Sequence, residues 1–395
     1  MRSFSRRAPG GGDDEPNRLT RAVQARLAAG GEVLDLTVSN PTEHGLTWPP
    51  GSIAKALASV DSSIYRPEPF GLLEAREAIC ADLARRDIRT TPDRVVVTAS
   101  TSEAYGYLLK LLCDPGDRVA VSVPGYPLLD TLARLESVEI ERFAFTYDAG
   151  WRIDEPSLRA ATIDARRTRA VVLLHPNNPT GAFVSRRDLA LVESLGLPIV
   201  SDEVFSAYGW TNDADRLSTL LDEPGKALLF RLDGLSKSAA LPQLKLAWMV
   251  VGGPDALVRD ALARLEHIAD AYLSPSIPVQ RALPVLLAEA PTMREKIGAR
   301  CHENLAAIGA ACAGTALTLL WPEGGWTAVI RLPNVHDDET WSVRFLEEAG
   351  TLTHPGYLYD FDDGAFVVIS LLTNPLTLTA AIDRMITLVD KETRR

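Results

Sequence analysis

No stretch of this 395-residue chain reaches the roughly 20 apolar residues that a membrane-crossing helix needs. Basic runs are missing too, and the formal net charge is −11. A surface that tracks nucleic-acid phosphates needs a basic face, so nucleic acid is not expected as a partner. The four cysteines, Cys80, Cys113, Cys301 and Cys312, form no C-x-x-C pair and sit in helix-like contexts. They read as core thiols in a reducing cytoplasm. Six histidines show no metal-ligand spacing, so no metal is expected. The paired arginines near the start are followed by "APGGGDDEP", where an export signal would need its apolar region. Residues 1–18 therefore read as a disordered or loosely held arm. No internal repeat and no other low-complexity run is found.

What remains is an ordinary globular composition, 46% hydrophobic and 24% charged, long enough for two or three domains. Between about 93 and 251, short β-rich runs alternate with longer amphipathic ones. "RVVVTAS", "RVAVSV", "VEIERF", "RAVVLLH", "LPIVSDEVF", "ALLFRLDG" and "LKLAWMVVGG" read as strands, with helices such as "SEAYGYLLKLLC" and "SRRDLALVESL" between several of them. Short apolar strands separated by helices are the pattern of a largely parallel sheet covered on both faces. Beyond Gly253 the texture changes. Helices at about 254–273 and 290–313 lead to "WTAVIRL", "ETWSVRFLEEAG", "GAFVVISLL" and a final helix, which read as a smaller α+β domain.

Ligands of such sheets bind outside the carboxyl ends of the strands, so the residues there carry the functional signal. After "VVV" come Ser100, Thr101 and Ser102, opening a helix. Helix-terminal N–H groups with hydroxyls can hold an anion, and the same residues serve equally as a helix cap. Tyr126 follows the second strand, Asn178 stands in "HPNNPTG", Asp202 ends an apolar strand, and Lys237 follows "LLFRLDG". An anion cradle, an aromatic face, an amide, a buried-looking acid and a lysine together match the needs of pyridoxal phosphate. Its phosphate wants the cradle, its aldehyde a lysine, and its ring nitrogen a carboxylate that keeps it protonated.

In order and spacing these motifs resemble the class I/II aminotransferases of the fold type I pyridoxal-phosphate enzymes, from about Leu34 to the end of the chain. "YRPEPFGLLEAREAI", "CDPGDRVAVSVPGYP", "HPNNPTG", "SDEVF" and "GLSK" carry the resemblance. It implies a large domain with a mostly parallel seven-stranded sheet plus a smaller α+β domain. The corresponding boundaries are a segment 19–45 associated with the small domain, a cofactor domain 46–275 and a small domain 276–395. It further implies Lys237 as the Schiff-base lysine, Asp202 at the pyridine nitrogen, Asn178 at the ring hydroxyl oxygen and Tyr126 stacked on the ring. Ser100, Thr101, Ser102, Ser236 and Lys245 would hold the phosphate. Tyr65 would reach the cofactor of a second subunit, in a homodimer with shared sites. Tyr65 can also be read as a packed aromatic, and Ser236 as a turn cap.

Four departures stand out. Lys245 occupies a usual arginine position, which keeps the charge and loses the bidentate fork. Gly234 replaces a common phosphate-binding serine. Phe205 replaces a tyrosine that donates to the ring hydroxyl oxygen. Val368, in "FVVISLL", stands where an arginine usually clamps the substrate carboxylate. Either another cation takes over or the substrate presents no ordinary α-carboxylate. Arg66 and Arg331 are candidates, though both also read as surface arginines. Asn40, His354 and Tyr357 are candidate walls of the substrate pocket.

The leading reading is a cytoplasmic, biosynthetic aminotransferase that takes an amino donor and an oxo acceptor. A lyase, decarboxylase or cyclase of the same fold is the alternative that Val368 raises. A non-catalytic regulator is a third, disfavoured by the acidic chain and by the presence of both Lys237 and Asp202. Because Phe205 donates nothing to the ring oxygen, the imine proton on Lys237 should be held more tightly than in relatives with tyrosine. In a pH titration of the visible band, Phe205→Tyr should lower the midpoint; an unchanged or higher midpoint would refute the reading.

Overall fold

The computed structural model describes residues 4–8, 16–148, 150–164, 166–210, 215–222 and 225–393. The arm expected over 1–18 lies in part outside the described residues. In the large sheet the strands are β1 (Val95–Thr98), β2 (Arg118–Val123), β3 (Glu139–Tyr147), β4 (Trp151–Ile153), β5 (Thr168–Leu174), β6 (Ile199–Asp202), β7 (Leu229–Gly234) and β8 (Ala247–Gly252). Their order is β1-β8-β7-β6-β5-β2-β3-β4. The pairs from β7 to β3 are parallel, whereas β8 is antiparallel to both of its neighbours. The central strands are buried along nearly their whole length, as a sheet covered on both faces requires.

The expected count of seven strands is one short. β3 runs on past Phe143 to Tyr147, and its last three residues, Phe145 to Tyr147, pair antiparallel with β4. Trp151 and Ile153 of β4 are buried against the same edge cluster, with Arg152 outward. This two-residue alternation anchors a strand too short to announce itself in the sequence.

The helix expected from about 290 begins earlier. It runs unbroken over Ile277–Cys312, through Pro284 and Pro291. A proline removes one helical hydrogen bond and crowds the preceding turn. Here Leu283, Leu286, Leu287 and Ala290 are buried beside the Leu73–Ala84 helix, and tertiary packing overrides the local cost.

The smaller sheet consists of β9 (Thr318–Leu320), β10 (Thr327–Leu332), β11 (His354–Pro355) and β12 (Ala365–Ser370), in the order β9-β10-β12-β11 and antiparallel throughout. The Arg18–Ala28 helix packs through Leu19 against Val343 and Leu346 of the Asp338–Ala349 helix. Leu34–Asp35 pairs in parallel with Thr351–Leu352.

Behind the carboxyl edge of the large sheet lies a buried ionic cluster. Arg231 of β7 has no exposed surface; its Nε donates to Glu203 at 2.8 Å and its Nη2 to Asp233 at 3.0 Å. Arg86 also reaches Asp233, at 3.1 Å, and donates to the Ser206 hydroxyl at 2.6 Å. Removing one member of such a set strands the others without compensation. Arg231→Met should therefore lower stability in urea unfolding by about 3–5 kcal/mol. Adding Glu203→Gln, which leaves Asp233 to pair with Arg86, should recover much of that loss; a single variant as stable as the parent would show that the cluster carries no such strain.

Candidate active site

Parallel strands deliver their carboxyl ends to one edge, and that geometry assembles the site. β1 leads to Ser100, β2 to Tyr126, β5 to Asn178, β6 ends in Asp202 and β7 leads to Lys237. β8 runs the other way, so its start rather than its end comes to this edge: Ala247 lies between Thr98 and Gly234. Lys245, just before it, is exposed and left-handed at φ 51° and ψ 61°. The antiparallel strand thus returns a second lysine to the edge that holds Lys237.

Lys237 sits in a one-turn helix, Leu235–Ser238, with its backbone carbonyl accepting from the Tyr208 hydroxyl at 2.8 Å. Its Nζ lies 5.3 Å from the Trp326 ring centre and 5.7 Å from that of Phe205. Burial lowers its proton affinity, and the charge that opposes this is Asp202. Burial raises Asp202 to a pKa of about 6. The Val204 N–H, at 3.3 Å from Oδ1, and the Tyr105 hydroxyl, at 3.0 Å from Oδ2, pull it back, while Asp233 and Glu203 push it further up.

Ser100 caps the Thr101–Leu112 helix, its Oγ accepting from the Glu103 N–H at 3.1 Å, and Glu103 returns the contact by accepting from the Ala99 N–H at 2.7 Å. Its hydroxyl oxygen is therefore a cap. The N–H groups of Thr101 and Ser102 lie in the first helical turn, where donors lack helical acceptors and suit an anion. Asn178 presents a buried amide oxygen with no partner among the described residues. Ser236 is half-buried beside Lys237, and Tyr126 is 48% exposed at the rim. An unpartnered amide, free helix-terminal donors and a desolvated lysine near a carboxylate fit pyridoxal phosphate. Gly234 has a steric origin: a Cβ there would lie 2.8 Å from the Ala247 Cβ, so the serine common at this position cannot be placed without moving β8.

Trp326 and Tyr105 are the residues that sequence reasoning missed. Trp326 follows two glycines that pass close to "PTG". The N–H groups of Glu323 and Gly324 donate to the Gly181 carbonyl at 3.1 and 3.0 Å, and a Cβ on Gly181, at φ +70°, would lie 2.4 Å from the Gly324 oxygen. The run "PEGGW" was the available signal, since paired glycines before an aromatic mark close backbone approach. For Tyr105 the only signal was a tyrosine one turn into the helix that begins at Thr101.

The substrate candidates do not converge. Val368 is 1% exposed and packs in the same apolar cluster as Val329 and Tyr359. His354 pairs with Val368 across the sheet, and its Nδ1 lies 3.0 Å from the Tyr359 hydroxyl. The next loop meets the rim where the Gly125 N–H donates to the Tyr359 carbonyl at 2.9 Å. Tyr357 points instead toward Asn17, whose amide donates to its hydroxyl at 3.2 Å. Asn40 caps the Pro41–His44 turn and donates to Glu43 at 2.7 Å. Arg66 is exposed. Arg331 is exposed on β10, five residues and so roughly 16 Å along the strand from Trp326. Tyr65 is 63% exposed, beside a shallow recess lined by Pro67, Glu68, Leu273, Pro275 and Gln280.

The model of the family "Aminotransferase class I and II" matches residues 31–384. The glutamate-pyruvate aminotransferase AlaA of Escherichia coli K12 is 27% identical over 282 residues, 70% of this chain and 69% of that protein. The alanine aminotransferase of Mycobacterium tuberculosis H37Rv is 27% identical over 270 residues, 67% of this chain and 62% of that protein. The structure of an alanine aminotransferase from Pyrococcus furiosus superposes with a TM-score of 0.86 at 21% identity, covering 98% of this chain and all of that one. At that identity the likeness shows the fold, which is fold type I.

Burial of Asp202 has a consequence for stability. Its pKa of about 6 in the folded chain exceeds the unfolded value of 3.8, so the folded form is penalised above pH 6 and relieved as the pH falls from 6 toward 3.8. The penalty is at most about 3 kcal/mol. Asp202→Asn should raise the unfolding midpoint of the cofactor-free protein at pH 8 but not at pH 4. Equal midpoints at pH 8 would show that the carboxylate is not desolvated.

Proposed function

The chain belongs to the class I and II aminotransferase family and is an aminotransferase, and we propose that it uses pyridoxal phosphate bound through Lys237. One observation carries the reading: Lys237 and Asp202 stand at the ends of adjacent parallel strands, and burial weakens the charged form of each. When bound, the cofactor supplies an electron-accepting ring that stabilises negative charge at the donor carbon.

The chain's own residues would do the rest. Desolvation favours an uncharged Lys237 amine, which can take a proton from the donor carbon and return it. Asp202 would hold the ring nitrogen protonated, and Asn178 would meet the ring hydroxyl oxygen. Tyr126 would cover the ring face from the rim. The first-turn N–H groups of Thr101 and Ser102, with Ser100, Ser236 and Lys245, would surround the phosphate. Trp326 and Phe205 exclude water around the amine.

The substrate reading draws on relatives named for glutamate, pyruvate and alanine, which point to a small amino donor. Buried Val368 cannot form a bidentate carboxylate clamp. Of the polar candidates His354 is the best placed, on β11 opposite Val368 and just before the loop whose Tyr359 carbonyl meets Gly125 beside Tyr126. We assign the chain to a homodimer with Tyr65 reaching the neighbouring site, a reading supported by the exposure of Tyr65. A reducing, cytoplasmic setting is supported by four unpaired cysteines. Among the described residues no helix is long and apolar enough to cross a membrane.

A single-turnover assay tests the function. The holoprotein is mixed with amino acids and simple amines, the visible band is followed, and products are analysed. Transfer predicts that a donor bleaches the band and leaves one equivalent of its oxo acid or aldehyde. Without the clamp, simple amines should react within about tenfold of the matching amino acids in kcat/KM. Carbon dioxide or an eliminated group with no lasting bleaching would overturn transfer in favour of the lyase-type alternative.

A further inference from the structure

Asp202 is held from behind by a residue that none of the motifs contains. Tyr105 lies one helical turn after Thr101 and is 7% exposed. It shares an apolar cluster with Val96, Val121, Val200 and Leu232, so its ring is fixed against the face of the sheet. From there its hydroxyl spans to β6 and donates to Asp202 Oδ2 at 3.0 Å. Oδ1 accepts from the Val204 N–H at 3.3 Å. The two oxygens are thus engaged from different directions, which fixes the plane of the carboxylate. Burial and the neighbouring carboxylate keep the phenol protonated, so it remains a donor.

The charges around Asp202 make that donor consequential. Asp233 and Glu203 both disfavour its ionised form, although Arg231 bonds each of them. Lys237, in the one-turn helix after the neighbouring strand, is itself weakened as a cation by burial. The hydrogen bonds from Val204 and Tyr105 are what lower its proton affinity. The Tyr105 bond is the shorter and is the one made by a side chain.

We propose that Tyr105 is a positioning residue that orients the Asp202 carboxylate and keeps it ionised toward the ring nitrogen of the cofactor. This rests on the pyridoxal-phosphate reading above. It makes this chain's arrangement lopsided: a tyrosine donor serves the nitrogen end of the ring, while Phe205 leaves the hydroxyl end without one.

The test compares Tyr105→Phe with the parent protein and with Tyr107→Phe, which removes a buried hydroxyl from the same helix without touching Asp202. Pyridoxal phosphate is titrated into each cofactor-free protein, and kcat and KM are then followed against pH in the holoproteins. A hydrogen bond to a charged group predicts about tenfold weaker cofactor binding and about tenfold lower kcat in Tyr105→Phe, with KM little changed. The acid limb of kcat should move up by about one pH unit, because losing the donor raises the Asp202 pKa. Tyr107→Phe should match the parent.

Adding Tyr105→Phe to Asp202→Asn separates positioning from packing. With no carboxylate to hold, the second change should leave cofactor affinity where Asp202→Asn put it. An equal loss in both backgrounds would make Tyr105 a packing residue and overturn the proposal, as would a Tyr105→Phe protein with unchanged affinity and acid limb. A parent protein that takes up no pyridoxal phosphate would instead overturn the functional reading itself.

Discussion

The Arg231 guanidinium lies behind the carboxyl edge of the large sheet with no access to solvent, bonded to the Glu203 and Asp233 carboxylates. Glu203 directly follows Asp202, and Asp233 directly precedes Gly234 and the Lys237 turn. Side chains alternate along a strand, so the face that carries Glu203 is opposite the face that carries Asp202. The ionic cluster therefore lies behind the site and ties together the ends of β6 and β7. A second cluster extends the tie. Arg294 of the long helix bonds Asp82 at 2.7 Å and donates to the Ser238 carbonyl, next to Lys237, at 2.7 Å. Charges buried this way add little net stability over apolar side chains, yet breaking one pair is costly because it leaves the partner uncompensated.

Much of this was legible in the sequence because strand ends are marked by local composition. Apolar runs stop shortly before Ser100, at Asp202 and at the Gly234 turn that leads to Lys237, and parallel topology converts that list into a place. Tyr105 and Trp326 were not legible for the opposite reason. Tyr105 meets Asp202 across 97 positions, and on its own helix it is indistinguishable from a core aromatic. Trp326 reaches Lys237 only because the backbone at Gly324 passes against Gly181. The two prolines in the long helix misled for a third reason: local propensity reports the cost of a residue, whereas the buried leucines around Pro284 offset it from a distance.

The departures from the family pattern have different physical standing. Gly234 follows from the close approach of β7 and β8 and has no necessary bearing on the substrate. Lys245 keeps a cation at the carboxyl edge, brought there by β8, which runs antiparallel to both of its neighbours beside the outermost strand β1. Val368 is of another kind. Its neighbours Val329 and Tyr359 close an apolar cluster around it, so the small domain is built without room for a charged clamp at that point.

Trp326 belongs to the segment that enters the small sheet, yet its ring shields an amine carried by the large one. The low dielectric around Lys237 is thus shared property of two parts of the molecule. Any motion that lifted Trp326 would admit water to Nζ and return its basicity toward that of a surface lysine. How the two parts are seated therefore bears on how far burial lowers the proton affinity of the Lys237 amine.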